Sequence, residues 1–133
     1  MQVFISHASR DQHLAKQLAG LLDEAGVQVH PGTEDIEPGG NWAKQIGLAL
    51  EQSDIMVVLF TQNAEHSDFV QKELEYALSS KNYQGRVIPV LVQPAGKVPW
   101  ILNKLDALNV SMDPPNLQQG FGEVVRRVKA LET

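Results

Sequence analysis

A single glutamate, Glu73, stands where a carboxylate could do chemistry. It lies in the segment Ser67–Leu78 (SDFVQKELEYAL), which is predicted to be a helix because its apolar residues recur at helical spacing. The apolar stripe consists of Val70, Leu74, Ala77 and Leu78. At about 100° per residue Glu73 falls on the shoulder of this stripe, one turn beyond Phe69, so we expect its carboxylate to be half-exposed beside an aromatic ring. A carboxylate in that setting can have a perturbed pKa and a fixed direction, although helix position alone favours an ordinary boundary glutamate.

The residue types present exclude several other kinds of site. The sequence has no cysteine, which removes disulfides, thiolate metal ligands and cysteine nucleophiles together. Its four histidines show no metal-ligand spacing, so we expect no metal site. Ser6 and His7 are neighbours, which cannot reproduce the geometry of a catalytic triad. No G-x-S-x-G elbow, G-x-G-x-x-G turn or P-loop occurs.

Length and composition predict one globular domain, residues 1–133. The 133 residues suffice for one hydrophobic core and are too few for two, and 43% hydrophobic with 20% charged residues is ordinary globular composition. The net charge of -5, without a basic stripe, argues against a nucleic-acid partner. Without a leader or an apolar run long enough to span a bilayer, we expect a cytoplasmic protein with no membrane contact. The sequence leaves open whether the domain is fused to, or paired with, a sensor or effector domain.

Five apolar segments alternate with helical patterns and predict a parallel sheet with helices on both faces. The predicted strands are Val3–Ser6, Val27–Val29, Ile55–Phe60, Arg86–Val92 and Leu108–Val110. The first, third and fourth are continuous apolar runs, whereas the second and fifth are short and mixed. Because the central strands of a parallel sheet are buried on both faces and edge strands are not, this pattern predicts a flavodoxin-like fold with strand order 2-1-3-4-5.

That strand order places a crevice beside Glu73. Such sheets bind ligands at the carboxyl ends of the strands, beside the switch point where the strand order reverses. Here the switch point lies between strands one and three. Residues 6–10 follow strand one, and the segment after strand three leads to Phe69 and Glu73. Ser9 is predicted to cap the helix that follows strand one. The loop after strand one lacks glycine and an acidic pair, which excludes a flavodoxin phosphate loop and a phosphorylatable receiver.

Four segments in order along the chain resemble the signature motifs of the TIR (Toll/interleukin-1 receptor) domain family. They are Phe4–Asp11 (FISHASRD), similar to the first box; Ile36–Trp42 (IEPGGNW), similar to the second box with its BB loop; Ser53–Leu59 (SDIMVVL), similar to the third strand; and Asp68–Leu74 (DFVQKEL), similar to the W-x-x-x-E segment of the NAD-cleaving members. Phe69 stands where the enzymatic members usually carry tryptophan, and Gly32 where an aspartate is expected. The resemblance covers nearly the whole chain.

The resemblance implies an NAD+ glycohydrolase or ADP-ribosyl cyclase of the bacterial type, with NAD+ as substrate, no cofactor and Glu73 as the catalytic residue. The substrate-binding residues implied are His7, Arg10, Glu37 and Phe69. The BB-loop residues implied to contact a neighbouring TIR domain are Pro38, Gly39 and Trp42. In enzymatic members of this family a neighbouring copy completes the substrate pocket, and the reaction serves immune, antiphage or cell-death signalling.

One carboxylate could suffice for this reaction. The leaving group of NAD+ is already a cationic pyridinium, so cleavage needs no general acid, unlike ordinary glycoside hydrolysis with its two carboxyl groups. Glu73 could place its charge against the oxocarbenium-like ribose, hold the ribose hydroxyls or act as a transient nucleophile. Attack by water gives ADP-ribose and attack by the adenine gives a cyclic ADP-ribose, and the sequence does not choose between them. The alternative function is a non-catalytic TIR module that acts through homotypic contacts.

Overall fold

Five parallel strands form a single sheet. They are β1 (Gln2–Ser6), β2 (Gln28–Val29), β3 (Ile55–Phe60), β4 (Val87–Gln93) and β5 (Leu108–Ser111). Their order, β2-β1-β3-β4-β5, confirms the predicted topology. The computed structural model describes residues 2–30, 50–83, 85–93, 95 and 97–132. For five residues within these ranges, 68, 69, 82, 114 and 132, it describes only the backbone.

Helices join the strands and cover both faces of the sheet. They are α1 (Gln12–Glu24), α2 (Asp68–Ser79), α3 (Trp100–Lys104) and α4 (Pro114–Glu132), and residues 50–52 are helical as well. Short 3-10 turns are formed by Ser9–Asp11, Ala64–His66 and Lys81–Tyr83. Within the described part of the chain, no helix combines the length and the apolar content needed to cross a membrane.

The sheet separates two apolar layers. Successive side chains of a strand point to opposite faces, so alternate residues of β1, β3 and β4 enter different layers. One layer, with Val3 and Val57, packs against α1 and α4. The other, with Phe4 and Val58, packs against α2 and α3. Every residue of β3 is buried, as its apolar run and central place require.

The helix after β1 begins later than the sequence predicts. Ser9 is predicted to be its N-cap, but Ser9–Asp11 form a 3-10 turn and α1 begins at Gln12. Asp11 occupies the N-cap position without making a side-chain cap hydrogen bond. Asp11 makes no cap hydrogen bond because its carboxylate bonds instead to Thr61 and Asn63, which follow β3.

Candidate functional site

Ser6 and Glu73 meet at the carboxyl end of β1. Ser6 is the last residue of β1 and shares a face with Phe4, so its side chain points toward α2. The helix α2 begins after Ser67, whose hydroxyl accepts a hydrogen bond from the Val70 N–H. Ser6 Oγ donates a hydrogen bond of 2.9 Å to Glu73 Oε1. This contact joins α2 to the end of the strand that borders the switch point.

Glu73 is buried, so the expectation that it is half-exposed is wrong. It is 1% exposed, and its Oε2 has no hydrogen-bond partner among the described residues. Burial raises the pKa of Glu73 to about 8, and the hydrogen bond from Ser6 opposes part of that rise. The carboxyl group of the unliganded protein is therefore mostly neutral at pH 7. Helix phase gave the direction of this side chain, whereas its depth depends on how closely β1 approaches α2.

A buried carboxylate, Asp11, ties the loop after β1 to the loop after β3. It accepts a hydrogen bond from the Thr61 hydroxyl and another, of 2.8 Å, from the side-chain amide of Asn63. The Asn63 backbone N–H donates in turn to Thr61 Oγ1 at 3.1 Å. Hydrogen bonds to a charged acceptor are the stronger ones, so this Asp11 cluster (Asp11, Thr61 and Asn63) fixes the two loops relative to each other. No three His, Asp or Glu side chains in the described ranges are grouped so that they could hold a metal ion.

An open cleft of about 480 Å³ lies between the same two loops. Its lining, within the described residues, is formed by Ala8, Ser9, Arg10, Gln62, Asn63, His66 and Ser67. The guanidinium of the exposed Arg10, together with amide and hydroxyl donors, gives the cleft the chemistry that binds phosphate groups. Glu73 does not line this cleft. It lies under the neighbouring end of β1, on the α2 side, and is connected to the cleft through residues 6–8.

The structure places one predicted substrate-binding residue, Arg10, in the cleft. His7 is buried, and its Nδ1 lies 3.2 Å from the Ile5 carbonyl oxygen. Phe69 is the second residue of α2, and its side chain is not described. Outside the described residues lie Glu37, Pro38, Gly39 and Trp42. The functional roles of all these residues stay predictions.

Sequence reasoning missed the Asp11 cluster and the pairing of Ser6 with Glu73. A signal for the cluster was present, because Thr61 and Asn63 directly follow the most apolar strand and Asp11 follows the strand beside it. Polar residues that follow two neighbouring parallel strands meet at one edge of the sheet. The sequence predicts that Ser6 lies at the crevice, but it does not identify Glu73, 67 positions away, as the partner of Ser6.

The fold and these loops define a doubly wound α/β domain with a buried carboxyl group beside its switch point. A family model described as the TIR domain matches residues 3–125, and the chain belongs to that family. The resemblance inferred from the four sequence segments is thereby confirmed.

Similar proteins include one named as a probable enzyme and TIR domains of solved structure. A probable 2' cyclic ADP-D-ribose synthase, TcpO, from Methanobrevibacter olleyae is 26% identical over 90 residues, which make up 67% of this chain and 26% of that protein. The TIR domain of the Toll-related receptor TRR-2 from Hydra magnipapillata is 25% identical with a TM-score of 0.71, over 93% of this chain and 97% of that domain. A chain in the structure of the RPS4 and RRS1 TIR domain heterodimer is 18% identical with a TM-score of 0.70, over 98% of this chain and 97% of that one, and has the same fold.

Proposed function

We propose that this TIR domain cleaves the bond between nicotinamide and ribose in NAD+, with Glu73 as the catalytic residue. The observation that carries the proposal is a buried carboxyl group beside the switch point whose Oε2 has no hydrogen-bond partner among the described residues. A buried polar oxygen without a partner costs free energy, which a substrate hydroxyl or a developing positive charge would recover. The relative named as a probable cyclic ADP-ribose synthase supports the same reaction class, although the match covers about a quarter of that protein.

The proposed reaction needs no second protein carboxylate. The C1'–N1 bond breaks, its electron pair goes to the pyridinium nitrogen, and neutral nicotinamide leaves. The ribose then carries an oxocarbenium-like positive charge that the Glu73 carboxylate stabilises. Water attacks C1' and releases one proton to give ADP-ribose. Alternatively an adenine nitrogen of the same molecule attacks, or a ribose hydroxyl attacks and releases its proton, to give a cyclic ADP-ribose. The relative is named for a 2' cyclic ADP-D-ribose product. A cyclic ADP-ribose is therefore the product to test for first in this protein.

Substrate binding supplies the charge that the reaction requires. The free carboxyl is mostly neutral at pH 7, because burial raises the pKa of Glu73 to about 8. A pyridinium placed against it favours the ionised form, since an opposite charge nearby lowers the pKa of a carboxyl group. The ionised carboxylate then meets the ribose as positive charge develops there. Arg10 and the donors of the cleft bind the pyrophosphate in this proposal.

The experiment that tests the function measures nicotinamide released from NAD+ by concentrated purified protein. Glu73→Gln keeps the shape of the side chain and removes its charge, so we expect the rate to fall about 100-fold or more. Glu75→Gln is the matched control, because Glu75 is exposed on the same helix and should keep wild-type activity. Full activity in Glu73→Gln, or an equal loss in both variants, would contradict the assignment.

A second candidate function is a non-catalytic interaction module, favoured by the depth of Glu73. At 1% exposure, a carboxyl bonded to Ser6 also suits a structural link between α2 and β1. The likeness to a receptor TIR domain from Hydra is compatible with such a role. Wild-type protein that releases no nicotinamide at high concentration, yet self-associates, would support this function. Defence signalling, homotypic assembly and a cytoplasmic location stay predictions.

A further inference from the structure

Resting on the proposed function, we propose that Ser6 is a positioning residue that holds the Glu73 carboxyl by Oε1 and leaves Oε2 as the oxygen that acts on the substrate. Ser6 is fully buried, and its hydroxyl lies 2.9 Å from Oε1. Oε2 is equally enclosed and has no partner among the described residues. The two oxygens of one carboxyl group therefore have different surroundings.

The backbone around Ser6 makes this hydrogen bond directional. Ser6 lies opposite Val58 in the ladder between β1 and β3, so the strand pairing fixes its Cα. Its side chain points to the α2 face, where Glu73 is reached from the second turn of a helix that is capped at Ser67. A serine hydroxyl has one proton to donate, and here that proton goes to Oε1. Rotation of the carboxyl would break the bond and leave a buried donor unpaired.

In this proposal the proton of the neutral acid lies on Oε2, because Oε1 then remains the acceptor for the Ser6 hydroxyl. Loss of that proton leaves the negative charge on a carboxylate anchored at Oε1, with Oε2 unbonded among the described residues. The hydroxyl of Ser6 also favours the ionised form, because donation to a carboxylate stabilises the anion. Ser6 thus sets both the orientation of the Glu73 carboxyl and the ease with which it ionises.

The groups around Glu73 allow this effect to be isolated. On β1 the next titratable side chain is His7, whose Nδ1 faces the Ile5 carbonyl oxygen. On α2 the neighbouring charged side chains, Lys72 and Glu75, are exposed, and Tyr76 packs edge-on against a tyrosine ring. On β3 the residue opposite Ser6 is the apolar Val58. Burial and the Ser6 hydroxyl are accordingly the two causes that shift the pKa of Glu73.

The test follows the ionisation of Glu73 directly. Protein labelled with 13C at glutamate carboxyl carbons is titrated by NMR, and the Glu73 signal is assigned by its absence in Glu73→Gln. We expect a wild-type midpoint near pH 8 and a higher midpoint in Ser6→Ala. Ser53→Ala is the matched control and should leave the midpoint unchanged. It removes another buried serine hydroxyl, which lies just before the amino end of β3, whereas Ser6 lies at the carboxyl end of β1.

The same variants are assayed for nicotinamide release across the pH range. In Ser6→Ala we expect kcat/KM at pH 7 to fall about tenfold and the rising limb of its pH profile to move to higher pH. Ser6→Cys keeps the volume of the side chain with a weaker donor, and it should shift the midpoint in the same direction. It also serves as the folded variant if Ser6→Ala does not fold.

The outcomes separate the two proposals. An unchanged Glu73 midpoint in a folded Ser6 variant overturns the positioning role, whatever the activity. A shifted midpoint with the expected change in the pH profile supports it. If the Glu73 midpoint shifts in Ser6→Ala but the wild-type protein releases no nicotinamide, the proposed function is overturned. Ser6 then remains the residue that orients a structural glutamate.

Discussion

At the scale of single residues, the burial of Glu73 links the stability of the fold to the charge of one carboxyl group. Burial raises the pKa of Glu73 from 4.5 to about 8, so between these pH values the folded protein binds more protons at this site than the unfolded chain. The free energy of unfolding therefore decreases as pH rises through this window. The contribution of the neutral acid is complete below pH 4.5 and is lost above about pH 8.

We expect Glu73→Gln to remove this pH dependence. Glutamine resembles the neutral acid in shape and charge, so near pH 5 the melting temperature should stay within a few degrees of wild type. Near pH 9 the variant should be more stable than wild type, by roughly 5 kcal/mol at full ionisation. Urea unfolding of both proteins from pH 5 to pH 9 measures the difference, in which the other titrating groups cancel. Parallel curves for the two proteins would show that Glu73 is not desolvated as deeply as the structure places it.

At the scale of elements, two contacts fix how neighbouring elements lie: one between the loops that follow β1 and β3, and one between α4 and β5. The Asp11 cluster joins the loops that follow β1 and β3, so the width of the cleft is fixed by hydrogen bonds to one carboxylate. On the far side α4 lies close to β5. A Cβ added at Gly120 would stand 2.4 Å from Val110 Cγ1 and 2.6 Å from its Cγ2. Val110 is 3% exposed and belongs to the core, so its side chain has little room to move.

Two glycines of α4 offer a matched pair for this close approach. We expect Gly120→Ala to lower the free energy of unfolding by about 1–2 kcal/mol, because overpacking against Val110 outweighs the gain in helix propensity. Gly122→Ala should raise it by about 0.5–1 kcal/mol, since an added Cβ there has no atom within 4 Å. Urea unfolding measures both. A stabilising Gly120→Ala would mean that α4 packs less closely on β5.

At the scale of the whole molecule, the edge beyond β1 is where we predict that a second TIR domain binds. The edge strand β2 contains two residues, which pair with Gln2 and Val3 of β1. The BB loop that follows in sequence lies outside the described residues. Edge strands and long loops present unpaired backbone and adaptable side chains to neighbours. We therefore keep the prediction that a second TIR domain contacts this part of the chain.

We expect nicotinamide release per molecule to rise with protein concentration, because assembly selects the loop position that closes the pocket. Gly39→Pro, within the BB loop, should reduce that rise without changing the far-ultraviolet circular dichroism. Gly20→Ala is its control, since the position lies within α1 and an added Cβ meets no atom within 4 Å. Specific activity that stays constant over about a hundredfold range of concentration would indicate a self-sufficient subunit.

The sequence by itself determined the sheet order and the neighbourhood of the candidate site. The unbroken apolar run Ile55–Phe60 requires burial on both faces and hence a central strand, whereas the short, mixed Gln28–Val29 fits an edge. Sheet order then brought the end of β1 and the segment that leads to Glu73 to one switch point. These inferences succeed because hydrophobic periodicity is local and because the geometry of parallel sheets is regular.

The tertiary structure alone decided the depth of Glu73, its pairing with Ser6 and the Asp11 cluster. Helix phase specifies an angle around the helix axis, but the exposure of a side chain depends on how closely the neighbouring strand approaches. Strand order brings Asp11 and Thr61, 50 positions apart, to one edge of the sheet, but it does not distinguish an Asp11 that caps a helix from one that accepts from Thr61. Each of these contacts depends on distances between elements that are remote in sequence. Such distances are set by the packing of the whole core, which no local pattern encodes.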